Sequence, residues 1–290
     1  FIGKRSGTTE LKFTMNGTEK TTITSDGWTK STFDLPAGTH DFMFSTDKGG
    51  SAWLDEFEII QIRDKDALRI SGETINLSGT YKFSDVILTN GATLNVRDSL
   101  LLTVADSLYI CDNCAIKANG VGDNPNGRGG NERGGGHGSG GGGYGGNGGT
   151  GGGSNGGSGG SMYGDTKNVE MGSKGGVGRD GSKGGYGGGK VVINSKNIIL
   201  KGVLSANGEN GNSQYAGGGS GGGISIISKY LDLKGNVEAK GGDVVYSDSY
   251  RGGGGGGGRI YIKTDSPHNF WDKIIVSQGS GYGDPGLGNY

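Results

Sequence analysis

The chain has 290 residues, of which 69 are glycine and only 30% are hydrophobic, and its formal net charge is −1. Average glycine usage of about 7% would give only about 20 glycines in a chain of this length. The balanced charge argues against nucleic acid as the main partner, because phosphate binding needs a surplus of basic residues. No apolar run approaches the roughly 18 residues of a membrane-spanning helix. We therefore expect no nucleic-acid partner and no membrane span.

Residues 1–65 show the alternation of short strands. Leu11–Met15 has a period of two, and the Asn16-Gly17 pair after it is a strong signal for a tight hairpin turn. The later gaps also hold turn residues, such as those at 36–38. This pattern predicts a β-sandwich over residues 1–65.

Residues 25–60 carry a more specific likeness. A strand led by Trp28, the Leu-Pro-Ala-Gly-Thr-His turn at 35–40 and the Trp-Leu-Asp-x-Phe strand from Trp53 follow one another. In this order they resemble the closing strands of carbohydrate-binding or lectin-like jelly-roll modules. The opening strands of such a module are missing from the chain. The resemblance therefore implies a jelly-roll-like sandwich that is partial, or that another chain completes.

Residues 66–119 contain shorter apolar runs. Separate segments of three to five residues, such as Thr80–Phe83, Val86–Leu88, Thr93–Val96 and Leu100–Val104, are divided by turn residues such as Asn-Gly or Asp-Ser. Runs of this length predict successive coils of a parallel β-helix, in which each short strand stacks on the strand one coil earlier.

The clearest repeat occupies residues 190–290. Three stretches each run from polyglycine through short strands to an exit that resembles Ala-Asn-Gly, and we align them at Val191, Ile224 and Arg259. The interval of roughly 33 to 35 residues is typical of solenoid repeats. An earlier copy ends near residue 119, and the glycine-dominated residues 120–189 separate it from the next.

The repeat resembles modules of secreted and cell-surface glycine-rich proteins. Gly217–Ile226, Ser205–Gly208 and Gly252–Ile260 carry this likeness, which covers about residues 86–280. The resemblance implies a β-solenoid fold and an extracellular or cell-surface location, and it implies no chemistry.

The glycine-rich segments allow two interpretations. A flexible linker is one. The other is an ordered, polyglycine-II-like array of left-handed extended helices, whose bare backbones approach and hydrogen-bond to one another. Ordering costs about 1–2 kcal/mol per residue, so it needs dense hydrogen bonding. The runs at Gly187, Gly217 and Gly252 recur in register with the repeat, which favours the ordered form there. For the middle of 120–189 both alternatives stay open.

The two cysteines, Cys111 and Cys114, enclose only two residues. A zinc site needs about four ligands, and the histidines lie far away in sequence. A redox motif of this spacing belongs at the start of a helix, which the sequence does not predict. We therefore predict a local disulfide and an oxidising compartment, with no metal site. The sequons at Asn16 and Asn76 suit the same compartment and predict glycosylation at both asparagines.

Six tyrosines lie in or beside the glycine-rich segments. A tyrosine ring has a flat apolar body and a polar tip, so these residues suit contact with a glycan or a partner surface, and they equally suit local packing among glycines. Both alternatives stay open. The tyrosines are Tyr144, Tyr163, Tyr186, Tyr215, Tyr246 and Tyr250.

Catalysis finds little support in the sequence. The acidic residues are scattered at turns, as at Asp98, Asp106 and Asp243, instead of forming the carboxylate pair of glycoside hydrolysis. The histidines have no nucleophile nearby in the sequence. We expect no enzymatic activity and no cofactor. The leading hypothesis is a glycosylated structural subunit of an extracellular filament, sheath or cell-surface appendage that self-associates. An adhesin or carbohydrate-binding surface protein is the alternative, and a polysaccharide-active enzyme is a distant third.

Overall fold

The computed structural model shows a chain that is nearly all β. Its strands join into one large sheet in which most pairs are parallel. The structure describes residues 2–5, 11–23, 29–30, 40–46, 52–55, 66–131, 137–179, 181–244, 251–266, 270–283 and 286–288.

Seventeen strands and two single turns of 3-10 helix form within these ranges. The helical turns are Pro125–Gly127 and Trp271–Lys273. The strands are β1 (Ile2–Arg5), β2 (Leu11–Met15), β3 (Thr18–Ile23), β4 (Thr29–Lys30), β5 (His40–Thr46), β6 (Ala52–Asp55), β7 (Asp66–Ser71), β8 (Thr74–Thr89), β9 (Thr93–Asn95), β10 (Ser99–Ile110), β11 (Ala115–Lys117), β12 (Lys190–Leu200), β13 (Val203–Ser205), β14 (Gly223–Leu233), β15 (Asn236–Glu238), β16 (Arg259–Thr264) and β17 (Ile274–Ile275).

The N-terminal strands pair antiparallel. The Asn16-Gly17 turn joins β2 to β3, and both residues have positive φ, at 53° and 72°. These values are those of a tight two-residue hairpin turn, which confirms the predicted hairpin. In addition, β2 pairs with β5, and β1 pairs with β4 and β6. Much of the stretch that resembles a jelly roll, including Trp28, lies outside the described residues.

The N-terminal strands continue directly into the rest of the sheet. β5 pairs in parallel with β7, and β6 pairs in parallel with β8. One hydrophobic cluster holds Phe13 and Phe42 together with Leu68 and Leu77. The predicted domain boundary at residue 65 itself lies outside the described residues, but strand pairing and core packing both cross it.

From β8 onward the chain alternates between long and short strands, and we call one long strand plus the next short strand a circuit. The long strands β8, β10, β12, β14 and β16 form one parallel ladder in that order. The first part of β8 and the short strands β9, β11, β13, β15 and β17 form a second parallel ladder. Each circuit therefore stacks on the one before it.

The core consists of columns of aliphatic side chains, each contributed by one position in successive circuits. The short-strand ladder provides a column in which no side chain is more than 9% exposed. Its members are Ile75, Leu94, Ile116, Leu204, Val237 and Ile274. Because each circuit adds only a few apolar residues to each column, a chain with 30% hydrophobic residues still builds a continuous core.

Two details of the predicted strands need correction. The separate runs at 80–83 and 86–88 are parts of the single strand β8. In the repeat, Val191 pairs with Ile224 as aligned, but Ile224 pairs with Ile260, and the alignment at Arg259 is wrong by one residue. Side chains alternate between the two faces of a strand, so the predicted register would have placed Arg259 in the apolar column.

Three glycine-rich loops leave the circuits at the same corner, after β11, β13 and β15. Each loop is closed at its base by the same hydrogen bond, from a glycine amide to an alanine carbonyl oxygen. The pairs are Gly189 to Ala118 at 2.6 Å, Gly222 to Ala206 at 2.7 Å and Gly258 to Ala239 at 2.8 Å. Because the circuits stack in register, their loops emerge side by side.

The recurring Ala-Asn-Gly exit has a structural explanation at this corner. The backbone N–H of Asn207 donates to Oδ1 of Asn119 at 2.8 Å, and the N–H of Lys240 donates to Oδ1 of Asn207 at 2.8 Å. Each asparagine thus satisfies a backbone donor of the next circuit, where the ladder of the short strands has ended. The alanine before it is fully buried beneath the loop.

Candidate functional site

The described residues of the glycine-rich loops are ordered and hydrogen-bond to one another through their backbones; we call this assembly the glycine bundle. Its innermost part is the central segment, residues 137–144. Every third amide of the central segment donates to the same neighbouring segment, at 2.8–3.0 Å. Gly138, Gly141 and Tyr144 donate to the carbonyl oxygens of Gly152, Gly149 and Gly146, respectively. Gly140 and Gly143 donate to those of Gly130 and Gly127. Ser139 and Gly142 donate to those of Tyr215 and Gly218. This three-residue period is that of an extended helix with three residues per turn.

The carbonyl oxygens of the central segment bind three further segments in the same way. They accept hydrogen bonds from residues 157–163, from residues 253–256 and from Gly176. The central segment therefore has six neighbouring segments, which come from all three loops. Of the two alternatives for residues 120–189, a flexible linker or an ordered array, the described residues follow the ordered one.

The close approach of these backbones requires glycine. A Cβ atom at Gly141 would collide with the carbonyl oxygen of Gly254, and one at Gly142 would collide with that of Ser173. Both contacts would be shorter than the 3.0 Å below which real Cβ contacts essentially never occur. The glycine content of the chain is thus a packing requirement of the bundle.

Tyr144 and Tyr163 pack inside the bundle, with ring centroids 4.9 Å apart. Tyr144 is 0% exposed, and its hydroxyl accepts a hydrogen bond from the backbone N–H of Glu170 at 2.6 Å. The Tyr163 hydroxyl donates to the carbonyl oxygen of Met171 at 2.6 Å. Burial raises the pKa of Tyr144 to about 12 and also raises the pKa of Tyr163. Of the two roles that the sequence allows, ligand contact and local packing, these two tyrosines have the packing role.

Arg259 joins this tyrosine pair to the stacked circuits. It begins β16, is 6% exposed, and its guanidinium donates to the carbonyl oxygen of Tyr163 at 2.9 Å. The guanidinium carbon also lies 5.5 Å from the centre of the Tyr144 ring. A buried cation that contacts an aromatic face and a carbonyl oxygen is stabilised by both.

The remaining predicted tyrosines lie in different surroundings. Tyr186 is 38% exposed, and the Lys174 ammonium lies 3.9 Å from the centre of its ring. Tyr215 is half-buried under the guanidinium of Arg179. Tyr246 and Tyr250 lie outside the described residues. Among the four of these tyrosines that lie in the described residues, Tyr186 has the position that suits contact with a ligand.

An open groove of about 580 Å³ follows the outer face of the short-strand ladder, next to Tyr186. Most of its lining residues are polar or basic, although their aliphatic and aromatic carbons also face the groove. The side chains that characterise it are those of Asn76, Asn95, Arg97, Lys117, Asn119 and Tyr186. Only Tyr186 of these was predicted as a contact residue, because the others belong to separate short strands and no sequence motif links them.

The other predicted site residues are placed as follows. Cys111 and Cys114 form a disulfide, which confirms that prediction, in the turn between β10 and β11. Asn16 lies in the exposed hairpin turn, where its Oδ1 accepts a hydrogen bond from the N–H of Asp41 at 2.9 Å. Asn76 lies within β8, half-buried, with β9 paired on one side and β6 on the other. Glycosylation of both asparagines stays a prediction.

Among the described residues no group of three or more histidine, cysteine, aspartate or glutamate side chains is arranged to hold a metal ion. The part of the chain that the structure describes also contains no helix that is long and apolar enough to cross a membrane. No protein-family model matches the chain, and neither the curated proteins nor the solved structures include a significant match to it.

Proposed function

We propose that the chain is a structural subunit of an extracellular filament, sheath or cell-surface appendage. In this proposal the stacked circuits are a parallel β-solenoid and the glycine bundle is a polyglycine-II-like array fixed to its corner. The observation that carries the proposal is the six-neighbour hydrogen bonding of the central segment. This hydrogen bonding supports a role for the chain as a rigid structural body, because the glycine-rich sequence serves to pack backbone segments against one another.

Self-association is part of this proposal. In the described residues, β16 and β17 each pair with a strand on one side only, and such edges are templates for pairing with another chain. The outer face of the long-strand ladder also carries the large apolar side chains of Leu101 and Ile227, which are 36% and 40% exposed. An edge and an apolar face on one rigid body favour head-to-tail or lateral assembly.

Electron microscopy of the purified chain tests the proposal. Regular fibres or sheets of uniform width, formed at physiological salt, are the expected result. A matched variant, Ile227→Lys, places a charge on the exposed apolar face and should reduce lateral contact between fibres. Discrete particles at every concentration, with the mass of one chain in sedimentation, would contradict the filament.

The extracellular location belongs to the same proposal. The disulfide between Cys111 and Cys114 suits an oxidising compartment, and the sequons at Asn16 and Asn76 suit the secretory route. Intact-mass measurement before and after enzymatic removal of N-glycans, on material from the native source, tests both asparagines. Equal masses would contradict the predicted glycosylation.

The groove beside Tyr186 favours a second candidate, a carbohydrate-binding surface protein. Carboxamide side chains and an exposed aromatic ring are the groups that bind sugars, since carboxamides bind hydroxyl groups and the ring covers the apolar face of a pyranose. This function is compatible with a filament, because a surface appendage can present binding grooves along its length. Binding to an array of immobilised glycans tests this candidate separately from assembly.

A further inference from the structure

The corner where the glycine-rich loops emerge brings together three side chains of complementary chemistry, those of Asn207, Glu238 and Lys240. Glu238 ends β15 and pairs with Ser205, which ends β13. Asn207 and Lys240 each lie two residues beyond these strand ends, and the backbone N–H of Lys240 donates to Oδ1 of Asn207 at 2.8 Å. Because neighbouring strands are about 4.8 Å apart, the side chains of Asn207 and Lys240 start from adjacent positions on successive circuits.

A single carboxylate oxygen contacts the side-chain nitrogens of both residues. Oε2 of Glu238 accepts a hydrogen bond from Nδ2 of Asn207 at 3.1 Å and lies 2.9 Å from Nζ of Lys240. The Glu238 side chain is 14% exposed and the Lys240 side chain is 39% exposed, so the carboxylate is the more enclosed partner. A carboxylate within hydrogen-bond distance of two nitrogens is placed to transfer a proton from one to the other.

The carboxamide of Asn207 is also polarised at its oxygen. The N–H of Lys240 on Oδ1 is a backbone donor of the kind that stabilises the negative charge on a carbonyl oxygen when a nucleophile attacks the carbon. Asn207 therefore supplies a polarised carbonyl group, Lys240 an amine, and Glu238 a proton carrier between the amine and the amide nitrogen. An ordinary ion pair would need only the lysine and the glutamate.

We propose that Lys240 and Asn207 form an amide cross-link between their side chains, with Glu238 as the proton carrier. The carboxylate of Glu238 takes a proton from the Lys240 ammonium, and the neutral amine attacks Cγ of Asn207. The Cγ–Nζ bond forms, the Cγ–Nδ2 bond breaks, and both protons lost by Nζ pass to the leaving nitrogen. One ammonium ion departs, Glu238 is again a carboxylate, and no oxidant or cofactor is consumed. The cross-link goes beyond the proposed function and does not depend on filament formation.

Asn119 provides an internal comparison one circuit earlier. Its Oδ1 accepts a hydrogen bond from the N–H of Asn207 at 2.8 Å, so its carboxamide is polarised in the same way. In the circuit that follows it, however, Ser205 stands where Glu238 stands for Asn207, and Asn207 stands where Lys240 stands. The next circuit therefore offers Asn119 neither an amine nor a carboxylate, and we expect Asn119 to keep its carboxamide.

Mass spectrometry of the whole chain tests the cross-link. The protein should come from a host without N-glycosylation and be measured after reduction, so that glycans and the disulfide do not alter its mass. We expect a mass lower than that of the sequence by one ammonia. A tryptic digest should contain a branched peptide that joins Asn207 to Lys240, with no cleavage after Lys240. The full sequence mass, with both peptides separate, would overturn the proposal and leave an ordinary ion pair.

Three variants separate the cross-link from other losses of ammonia. Lys240→Arg keeps the positive charge without an amine nucleophile, and Glu238→Gln removes the proton carrier at nearly constant size; both should have their full sequence mass. Lys234→Arg is the matched control, because Lys234 forms a similar ion pair, with Asp232 at 3.0 Å, outside this cluster, and it should keep the loss of one ammonia. Asn207 precedes Gly208, and cyclisation onto that backbone nitrogen would also release ammonia. A loss that persists in Lys240→Arg would identify this cyclisation and overturn the cross-link.

Discussion

Replacement of Gly141 by alanine tests the packing of the glycine bundle most directly. Glycine-to-alanine changes in an accommodating backbone usually stabilise a protein by about 0.4–1 kcal/mol, because they restrict the unfolded chain. At Gly141 the added methyl group would collide with the carbonyl oxygen of Gly254. The structure therefore predicts that Gly141→Ala destabilises the protein instead of stabilising it.

The size of the effect follows from the bonds that must move. Gly141 donates to Gly149 and accepts from Gly160, both at 2.9 Å, and Gly149 in turn donates to Gly254 at 2.9 Å. Overpacking costs about 1–3 kcal/mol, and each weakened hydrogen bond adds about 1 kcal/mol. With all three bonds weakened, subtracting the gain of about 0.4–1 kcal/mol from the restricted unfolded chain leaves a loss of roughly 3–6 kcal/mol.

Gly181→Ala is the matched control within the same loop. Gly181 has a φ of +75° and no atom within 4 Å of an added Cβ, so only backbone strain of about 1–2 kcal/mol is expected. Urea unfolding followed by circular dichroism gives both stabilities. Hydrogen exchange read by mass spectrometry should show faster exchange over residues 137–144 for Gly141→Ala alone. A Gly141→Ala variant as stable as the parent, with unchanged protection of these amides, would refute the interlocked bundle and support a flexible linker.

Three further predictions concern the buried Tyr144, the asparagine at the loop corner and the disulfide. The pKa of Tyr144 is raised to about 12 from an ordinary value of about 10, so stability is complete below pH 10 and falls by about 2–3 kcal/mol by pH 12; urea midpoints should drop over this range for the parent and less for Tyr144→Phe. Asn119→Ala removes the acceptor for the N–H of Asn207 and should cost about 1 kcal/mol in urea unfolding, whereas Asn119→Asp keeps an acceptor and should cost less. Reduction of the disulfide between Cys111 and Cys114 should cost about 2 kcal/mol by loop entropy, and reductant should not change the midpoint of a Cys111→Ala/Cys114→Ala variant.

Local patterns in the sequence were sufficient for the strands and the hairpin. Leu11–Met15 alternates because β2 has one buried face, and the Asn16-Gly17 pair supplies the two positive φ angles of its turn. The stacked circuits were also predictable, because each column of the core needs an aliphatic residue at a repeating position. The register of the last circuit was harder to predict: Arg259 and Ile260 are adjacent, and both are buried, one against the glycine bundle and one in the core.

The groove and the roles of the tyrosines could not be predicted in the same way. Tyr144 and Tyr186 are both surrounded by glycines in the sequence, yet one is 0% exposed and the other is 38% exposed. Glycines have no side chains, so they produce no alternation that would show which neighbours face inward. The row of Asn76, Asn95 and Lys117 depends on strand pairing between circuits of unequal length, and that pairing is not visible in local sequence.

The position of the three loops explains how so much glycine becomes ordered. No loop alone supplies the six neighbours of the central segment, since residues 127–130 and 146–163 come from the first loop, 215–218 from the second and 253–256 from the third. Ordering these glycines costs about 1–2 kcal/mol per residue, which one loop with few partners does not offset. The stacked circuits hold the bases of the three loops in register through the hydrogen bonds to the alanine carbonyl oxygens, and so bring the loops together. Stability of the bundle should therefore depend on the stacking of the circuits more than on the length of any single glycine run.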